Sequence, residues 1–81
     1  MSLPVLICDD SALARKQMAR SLPASLNAEI TFAVHGLDAL EQLEQNEFKI
    51  MFLDLTMPEL DGFGTLDEIQ TRGIDIKVVV V

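Results

Sequence analysis

The chain has 81 residues, 49% of them hydrophobic, which is enough for one small domain with a buried core. Its formal net charge of −7 argues against direct contact with nucleic acid or anionic membranes and favours divalent cations as ligands. We expect a cytoplasmic protein, because no apolar run reaches the length of a membrane span and the start does not resemble a signal peptide. The single cysteine, Cys8, lies in an apolar run, which predicts a buried thiol and excludes an internal disulfide.

The first predicted unit is a strand followed by a helix. Residues 4–8 are apolar without helical periodicity and predict a buried strand, whereas residues 1–3 are compatible with a cloning scar. Either Asp10 or Ser11 can cap the helix that follows, and Pro23 ends it. The apolar positions of this helix recur every four residues, at Ala14, Met18 and Leu22.

The second unit has the same organisation. Residues 29–34 alternate between two faces and predict a second strand. His35 and Gly36 predict a surface turn. A second amphipathic helix is predicted from the spacing of three leucines, Leu37, Leu40 and Leu43.

The third unit begins with an apolar strand that ends on an acid. Residues 50–54 predict this strand, with Asp54 at its carboxyl end. Residues 55–62 predict a loop, and Gly73 is predicted to cap the carboxyl end of the helix that follows. The apolar positions of that third helix are Phe63, Leu66 and Ile69. Residues 76–81 include four consecutive valines, which are typical of a strand covered on both faces.

The predicted order is β-α-β-α-β-α-β, with a helix in every crossover. Such connections require parallel strands joined by right-handed crossovers. We therefore predict one doubly wound α/β domain over residues 1–81. Sheets of this kind bind ligands outside the carboxyl ends of their strands.

Three acids follow two of the predicted strands. Asp9 and Asp10 come after the first strand and Asp54 ends the third, so the carboxylates meet if those strands are neighbours. Such a group suits Mg²⁺, beside which a carboxylate can attack phosphorus and become an acyl phosphate. Simpler interpretations stay open at this point. Asp9, Asp10 and Ser11 can serve only to cap a helix, and Asp54 can be only a strand-end cap.

Three stretches resemble the receiver domain of bacterial two-component response regulators: ICDDS, FAVHGLDAL and FLDLTMPELDGF. The resemblance covers the chain in order and implies a flavodoxin-like, three-layer α/β sandwich. It implies that Asp54 accepts phosphate from a phosphohistidine on a sensor histidine kinase or a histidine phosphotransfer protein. The Mg²⁺ ligands that it implies are Asp9, Asp10, Asp54 and the backbone carbonyl of Thr56. The implied role is a signalling switch that gains and loses its own phosphate, rather than an enzyme.

The resemblance also implies roles outside the site. The first helix presents Arg15, Lys16 and Arg20, which resemble the kinase-docking side of the family; an ordinary solvated helix face is the alternative. Residues 57–58 and 61–62 would shape the loop rather than react, since proline fixes φ and glycine permits the turn.

The resemblance ends within the fourth predicted strand. In the family, a Ser or Thr and a Lys that contact the phosphate would follow Val81. We therefore expect an excised or naturally truncated piece in which phosphorylation is slowed by about 10²-fold or more. We also expect the open, apolar edge of strand four to be covered by a second copy of the chain, through edge pairing or swapping, or by a further part of the chain.

Other function classes are weaker. A receiver-like module could bind or dimerise without being phosphorylated, and this is the main alternative. An aspartyl-phosphate phosphatase also places a nucleophilic Asp after an apolar strand, but it uses a second acid two residues on, where this chain has Thr56. A nucleotide-binding domain is disfavoured because no glycine-rich loop follows the first strand.

Overall fold

Apolar runs and amphipathic segments alternate along the chain, and they form the strands and helices of one parallel sheet structure. The structure is a computed structural model that describes residues 2–54 and 62–81. Its strands are β1 (Leu3–Cys8), β2 (Ala28–Ala33), β3 (Ile50–Leu53) and β4 (Lys77–Val80). Its helices are α1 (Ala12–Ser21), α2 (Gly36–Gln45) and α3 (Gly62–Thr71), with a short 3₁₀ helix at Ala24–Leu26. The predicted order of elements is confirmed.

The four strands lie in the order β2-β1-β3-β4, and every neighbouring pair is parallel. Strand β1 is therefore central, with β2 on one side and β3 on the other. Cys8, the last residue of β1, is in register with Ala33 of β2 and with Leu53 of β3. The carboxyl ends of these three strands are level, so the residues that follow them share one edge of the sheet.

Helix α1 begins at a serine cap. The hydroxyl oxygen of Ser11 accepts a hydrogen bond from the amide of Ala14 at 3.2 Å, so Ser11 rather than Asp10 is the N-cap. The helix ends at Leu22, whose extended backbone is expected for a residue before Pro23. All of α1 is described, and each of its residues is at least partly exposed. This helix therefore packs less tightly on the sheet than α2 does.

The main core lies between one face of the sheet and helices α2 and α3. Its buried residues are Leu6, Cys8, Ala33, Ala39, Leu40, Leu43, Phe48, Met51, Leu53 and Ile69. The two helices present the same pattern to this core. Helix α2 buries Gly36, Ala39, Leu40 and Leu43. Helix α3 buries Gly62, Thr65 and Ile69, and Leu66 packs against the core beside them.

The predicted apolar stripes of these helices were wrong at one position each. Leu37 is 53% exposed and Phe63 is 66% exposed, although the apolar spacing predicts both on the buried face. The cause is geometric, because residues spaced i, i+3 and i+6 rotate by about 60° at each step around a helix of about 100° per residue. The observed spacing i, i+3, i+4 and i+7 stays on one face.

Strand β4 is less covered than its valines predicted. Val78 packs against the core, whereas Val80 and Val81 are 48% and 61% exposed. Among the described strands, β4 pairs with β3 and forms one edge of the sheet. The expected coverage of both faces is therefore wrong at Val80 and Val81. The predicted open edge of strand four is confirmed among the described strands.

A surface network joins α2 to the end of α3. The guanidinium of Arg72 donates to Glu44 of α2 at 2.7 Å and to Glu68 of α3 at 3.1 Å. These pairs are exposed, so they orient the two helices more than they stabilise the fold. In the part of the chain that the structure describes, no helix combines the length and the apolar character required to cross a membrane.

Candidate functional site

The backbones of Asp9 and Asp54 continue the ladders of their strands. The amide of Asp9 donates to the carbonyl oxygen of Ala33 at 3.1 Å, and the amide of Asp54 donates to that of Cys8 at 3.0 Å. Each acid is thus held by a neighbouring strand at the carboxyl edge of the sheet. The adjacency of the first and third strands, on which the predicted meeting of the acids depended, is confirmed.

The three polar residues of the β1–α1 loop, Asp9, Asp10 and Ser11, differ in their contacts. The amide of Ser11 donates to Oδ1 of Asp9 at 2.9 Å, and the hydroxyl of Ser11 caps α1. The capping interpretation therefore accounts for Ser11 and for one oxygen of Asp9. It does not account for Asp10, which is exposed beside them.

The three acids form a cluster. One carboxylate oxygen from each of Asp9, Asp10 and Asp54 lies within 4.8 Å of the others, with Asp9 and Asp54 half-buried and Asp10 exposed. Two unit charges about 4 Å apart repel by about 4 kcal/mol at an effective dielectric constant of about 20. Such an arrangement is unfavourable unless a cation or a proton offsets the charge.

Burial and the neighbouring acids together shift the pKa of Asp9. Burial raises the pKa of its carboxyl above the ordinary value of 3.8, and the charges of Asp54 and Asp10 raise it further. A side-chain hydrogen bond with Asp10 acts in the same direction, whereas the amide of Ser11 lowers the pKa by stabilising the carboxylate. The environment therefore favours either a proton or a positive charge at this position.

The thiol of Cys8, next to Asp9, is buried and has a raised pKa. Cys8 is 1% exposed, and burial raises its pKa to about 12, with smaller contributions from the charges of Asp38, Asp9 and Asp54. Because the thiolate is the reactive form, this thiol packs as a small apolar group. The predicted burial of the Cys8 thiol is confirmed in the structure.

The donor set of the cluster fits Mg²⁺. All three donors are carboxylate oxygens, the ligand type that this ion prefers. The three oxygens lie within 4.8 Å of one another, so they could converge on one cation. The exposure of Asp10 leaves room for the waters that Mg²⁺ usually retains.

Arg15 is a residue of this region whose contact the sequence did not indicate. Its guanidinium Nη1 donates to the carbonyl oxygen of Asp9 at 2.7 Å, and the side chain is half-buried, whereas Lys16 and Arg20 are exposed. The sequence places these three cations on one helix face, so helical spacing alone gives no signal that Arg15 turns back toward the acids. Its position six residues after Asp9, in the second turn of α1, is the only hint.

His35 lies at the start of α2 rather than in a free turn. Its Nδ1 accepts a hydrogen bond from the amide of Asp38 at 3.0 Å, while Oδ2 of Asp38 accepts from the amide of Val34 at 3.0 Å. These reciprocal bonds cap the helix, which corrects the predicted surface turn at His35 and Gly36. The predicted ligand Thr56 lies outside the described residues, as does the rest of the stretch 55–61.

Comparison with known proteins identifies the family. Residues 5–81 match the family model of the response regulator receiver domain. The chain belongs to the response regulator receiver domain family. It is thus a receiver domain of a two-component signalling system, as the motifs around Asp9 and Asp54 predicted. Receiver domains in general interact with histidine kinases or phosphotransfer proteins, which is the class of partner predicted.

The related sequences belong to longer proteins. Protein-glutamate methylesterase/protein-glutamine glutaminase 5 of Myxococcus xanthus is 41% identical over 78 residues, which are 95% of this chain and 22% of that protein. The corresponding protein of Treponema denticola is 38% identical over 78 residues, covering 95% of this chain and 21% of its own. The receiver domain thus spans about a fifth of the length of these curated relatives.

Solved structures support the fold of the receiver domain. A CheY-like receiver domain protein from Methanospirillum hungatei superposes with a TM-score of 0.83 and 26% identity, covering 95% of this chain and 62% of that one. The response regulator protein TrrA from Thermotoga maritima, solved in complex with Mg²⁺ and BeF, gives a TM-score of 0.86 and 26% identity. That match covers 96% of this chain and 67% of the other. The predicted flavodoxin-like α/β fold is confirmed.

Proposed function

We propose that this receiver domain accepts a phosphoryl group on Asp54 in a Mg²⁺-dependent reaction and thereby acts as a signalling switch. The observation that carries the proposal is the convergence of Asp9, Asp10 and Asp54, whose oxygens lie within 4.8 Å of one another. A phosphoryl group on one of these acids would change the charge and the hydrogen-bonding capacity of the sheet edge.

Asp54 is the proposed acceptor among the three acids. One oxygen of Asp9 already accepts a hydrogen bond from Ser11, and Asp10 lies exposed on the loop. Asp54 is half-buried, and its backbone is fixed by the bond to Cys8, so its carboxylate is held at the edge of the sheet. The resemblance of FLDLTMPELDGF to the receiver motif supports the same assignment.

Asp9 and Asp10 are the proposed metal-binding partners of Asp54. The backbone carbonyl of Thr56, which lies outside the described residues, is proposed as a further ligand. When bound, Mg²⁺ would neutralise charge on the phosphoryl oxygens. Burial raises the pKa of Asp9 most, and the charges of Asp54 and Asp10 raise it further. A bound cation would offset that repulsion, which supports this role.

The proposed reaction is a transfer between side chains. A carboxylate oxygen of Asp54 attacks the phosphorus atom of a phosphohistidine, the P–N bond breaks, and the imidazole leaves with the bonding electrons. The proposed donor is a sensor histidine kinase or a histidine phosphotransfer protein, acting in the cytoplasm. We assign no further enzymatic activity to the receiver domain. The methylesterase and glutaminase names belong to relatives of which it matches about a fifth.

Beryllofluoride with Mg²⁺ tests the proposal, because it mimics an aspartyl phosphate without a kinase. ¹⁹F NMR of the wild-type chain is expected to show a bound signal that requires both Mg²⁺ and beryllium. The Asp54→Asn variant removes the acceptor while keeping the side-chain shape, and it is expected to show none. Binding without Mg²⁺, or equal binding in the variant, would favour the alternative of a non-phosphorylated binding module.

We also propose that two copies of the chain associate through β4. Val80 and Val81 are 48% and 61% exposed on this strand edge, whose backbone groups can pair with another strand. Light scattering coupled to size exclusion tests this proposal, with a concentration-dependent dimer as the expected result. A monodisperse monomer with a cooperative thermal transition would overturn it.

A further inference from the structure

We infer that Arg15 is a positioning residue for the acidic cluster, acting through the backbone of Asp9 rather than through its carboxylate. The inference rests on the proposed Mg²⁺ site and adds a residue to it. Arg15 lies in the second turn of α1, where its own amide donates to the carbonyl oxygen of Ser11 at 3.0 Å. From there its side chain reaches back to the carbonyl oxygen of Asp9 at 2.7 Å.

That carbonyl belongs to the peptide group that joins Asp9 to Asp10. Because a peptide group is planar, a bond to its oxygen also restrains the orientation of the Asp10 amide and Cα. A charged donor makes a strong hydrogen bond, and this one is part-buried. Arg15 therefore restrains the relative orientation of the two acids that the site takes from the β1–α1 loop.

The other bonds of Asp9 leave this peptide group for Arg15 to hold. The amide of Asp9 donates to Ala33 of β2, and its carboxylate accepts from the amide of Ser11. The bond to Ala33 holds the backbone amide of Asp9, and the bond from Ser11 holds its carboxylate. The bond from Arg15 holds its carbonyl group, which is joined to the amide of Asp10.

Phe32 supports Arg15 from the sheet. The guanidinium carbon of Arg15 lies 6.0 Å from the centroid of the Phe32 ring, over its face. Phe32 is 42% exposed, so its ring face is accessible to the cation of Arg15. The ring limits the positions that the long Arg15 side chain can adopt, so less freedom is lost when the bond to Asp9 forms.

Whether the loss of Arg15 strengthens or weakens Mg²⁺ binding shows whether Arg15 orients the ligands or acts only through its charge. Removing a positive charge near a cation site should strengthen Mg²⁺ binding if charge alone matters. Removing a group that orients the ligands should weaken it, and partners that orient metal ligands typically contribute about 10–100-fold in affinity. We expect Arg15→Gln to weaken Mg²⁺ binding by about tenfold.

Calorimetric Mg²⁺ titration of the full chain provides the test, with Lys16→Gln as the matched control. Lys16 is the next residue of the same helix and is exposed, so its substitution removes the same charge without the bond to Asp9. The control is expected to bind Mg²⁺ as well as the wild type or slightly better. Unchanged or tighter binding by Arg15→Gln would overturn the inference.

A second readout uses the protein without metal. In Arg15→Gln, amide hydrogen exchange at Ser11 is expected to be faster than in the wild type, because the loop bond to Asp9 loosens while β1 and α1 stay folded. If Arg15→Gln does not fold, Phe32→Leu removes the ring and keeps an apolar side chain. It is expected to lower Mg²⁺ affinity less than tenfold, and unchanged affinity would overturn the inference.

Failure of the inference differs from failure of the proposed function. A wild-type chain that does not bind Mg²⁺ contradicts the proposed function, and the role of Arg15 falls with it. A wild-type chain that binds Mg²⁺ together with an unaffected Arg15→Gln contradicts the role of Arg15 alone.

Discussion

The amide of Asp54 lies 3.0 Å from the carbonyl oxygen of Cys8, and this hydrogen bond joins the carboxyl ends of β3 and β1. Cys8 directly precedes Asp9, so the bond brings two acids that are far apart in sequence to one edge of the sheet. Neither acid is held there by attraction to the other, because their charges repel. The backbone ladders impose the arrangement, and a cation would benefit from it.

The first prediction concerns the repulsion within the cluster. Asp9→Asn should stabilise the metal-free protein by at least about 1 kcal/mol, because two unit charges about 4 Å apart repel by about 1 kcal/mol in water and by about 4 kcal/mol at an effective dielectric constant of about 20. The amide oxygen of Asn can still accept the bond from Ser11. Thermal unfolding would show the gain as a Tm higher by about 4–8 °C for a domain of this size.

Asp67→Asn is the control for this change. Asp67 is an exposed acid on α3, outside the acidic cluster. Its substitution removes one negative charge, as Asp9→Asn does. Mg²⁺ should raise the Tm of this control as it does for the wild type, and should have little effect on Asp9→Asn. An equal response to Mg²⁺ in Asp9→Asn would exclude Asp9 as a ligand.

The second prediction concerns how the stability of the folded protein depends on pH, with and without Mg²⁺. The pKa of Asp9 is raised in the folded state above the ordinary 3.8, so the folded state holds this proton more tightly than the unfolded state does. The protonated carboxyl of Asp9 therefore contributes stability that is fully present below pH 3.8 and is lost as the pH rises through the raised pKa.

Mg²⁺ should act in the opposite sense over the same interval. Binding requires the deprotonated carboxylate, so the Mg²⁺-dependent increase in Tm should grow as the pH rises through the pKa of Asp9. Thermal unfolding across this interval, with and without Mg²⁺, would measure both trends. A Mg²⁺ effect that does not change with pH would show that Asp9 is not deprotonated on binding.

The third prediction compares two leucines on α2. Leu40 is 3% exposed and Leu37 is 53% exposed, so the same substitution has different consequences. Leu40→Ala should destabilise the fold by about 2–5 kcal/mol, since it removes buried methyl groups and leaves a cavity. Leu37→Ala should change the stability by about 0.5 kcal/mol or less. Similar losses in urea unfolding would contradict the buried face assigned to α2.

The fourth prediction concerns the cap of α2. His35→Ala removes the acceptor for the amide of Asp38 and should cost about 1 kcal/mol. His35→Asn supplies another good N-cap acceptor and should retain most of the stability. Urea denaturation distinguishes the two variants. If both lose the same amount, the bond from Asp38 to His35 does not stabilise the helix.

Much of the fold and of the site could be predicted from local patterns. The apolar runs before Asp9 and Asp54 predicted β1 and β3, because strands buried on both faces are continuous in hydrophobicity. The sequence predicted that these acids meet only if the first and third strands are neighbours. Strand order depends on long-range pairing, which local periodicity does not encode, and the sheet order β2-β1-β3-β4 meets the condition.

Other features could not be read from periodicity. The spacing of large apolar residues predicts Leu37 and Phe63 on buried faces, because that spacing takes no account of small residues. The true faces include Gly36 with Ala39 and Gly62 with Thr65, which allow close packing on the sheet. The contact of Arg15 with the carbonyl oxygen of Asp9 depends on a side-chain direction, which its position on a basic helix face did not reveal.

The most direct test of the central claim is to find which residue carries the phosphate. The chain would be incubated with Mg²⁺ and phosphoramidate, a small donor with the same P–N bond as phosphohistidine, and then reduced with borohydride. Reduction converts an aspartyl phosphate to homoserine, which peptide mass spectrometry can locate. We predict homoserine at position 54, only when Mg²⁺ is present. Homoserine at position 9 or 10, or its absence from all three, would contradict the account.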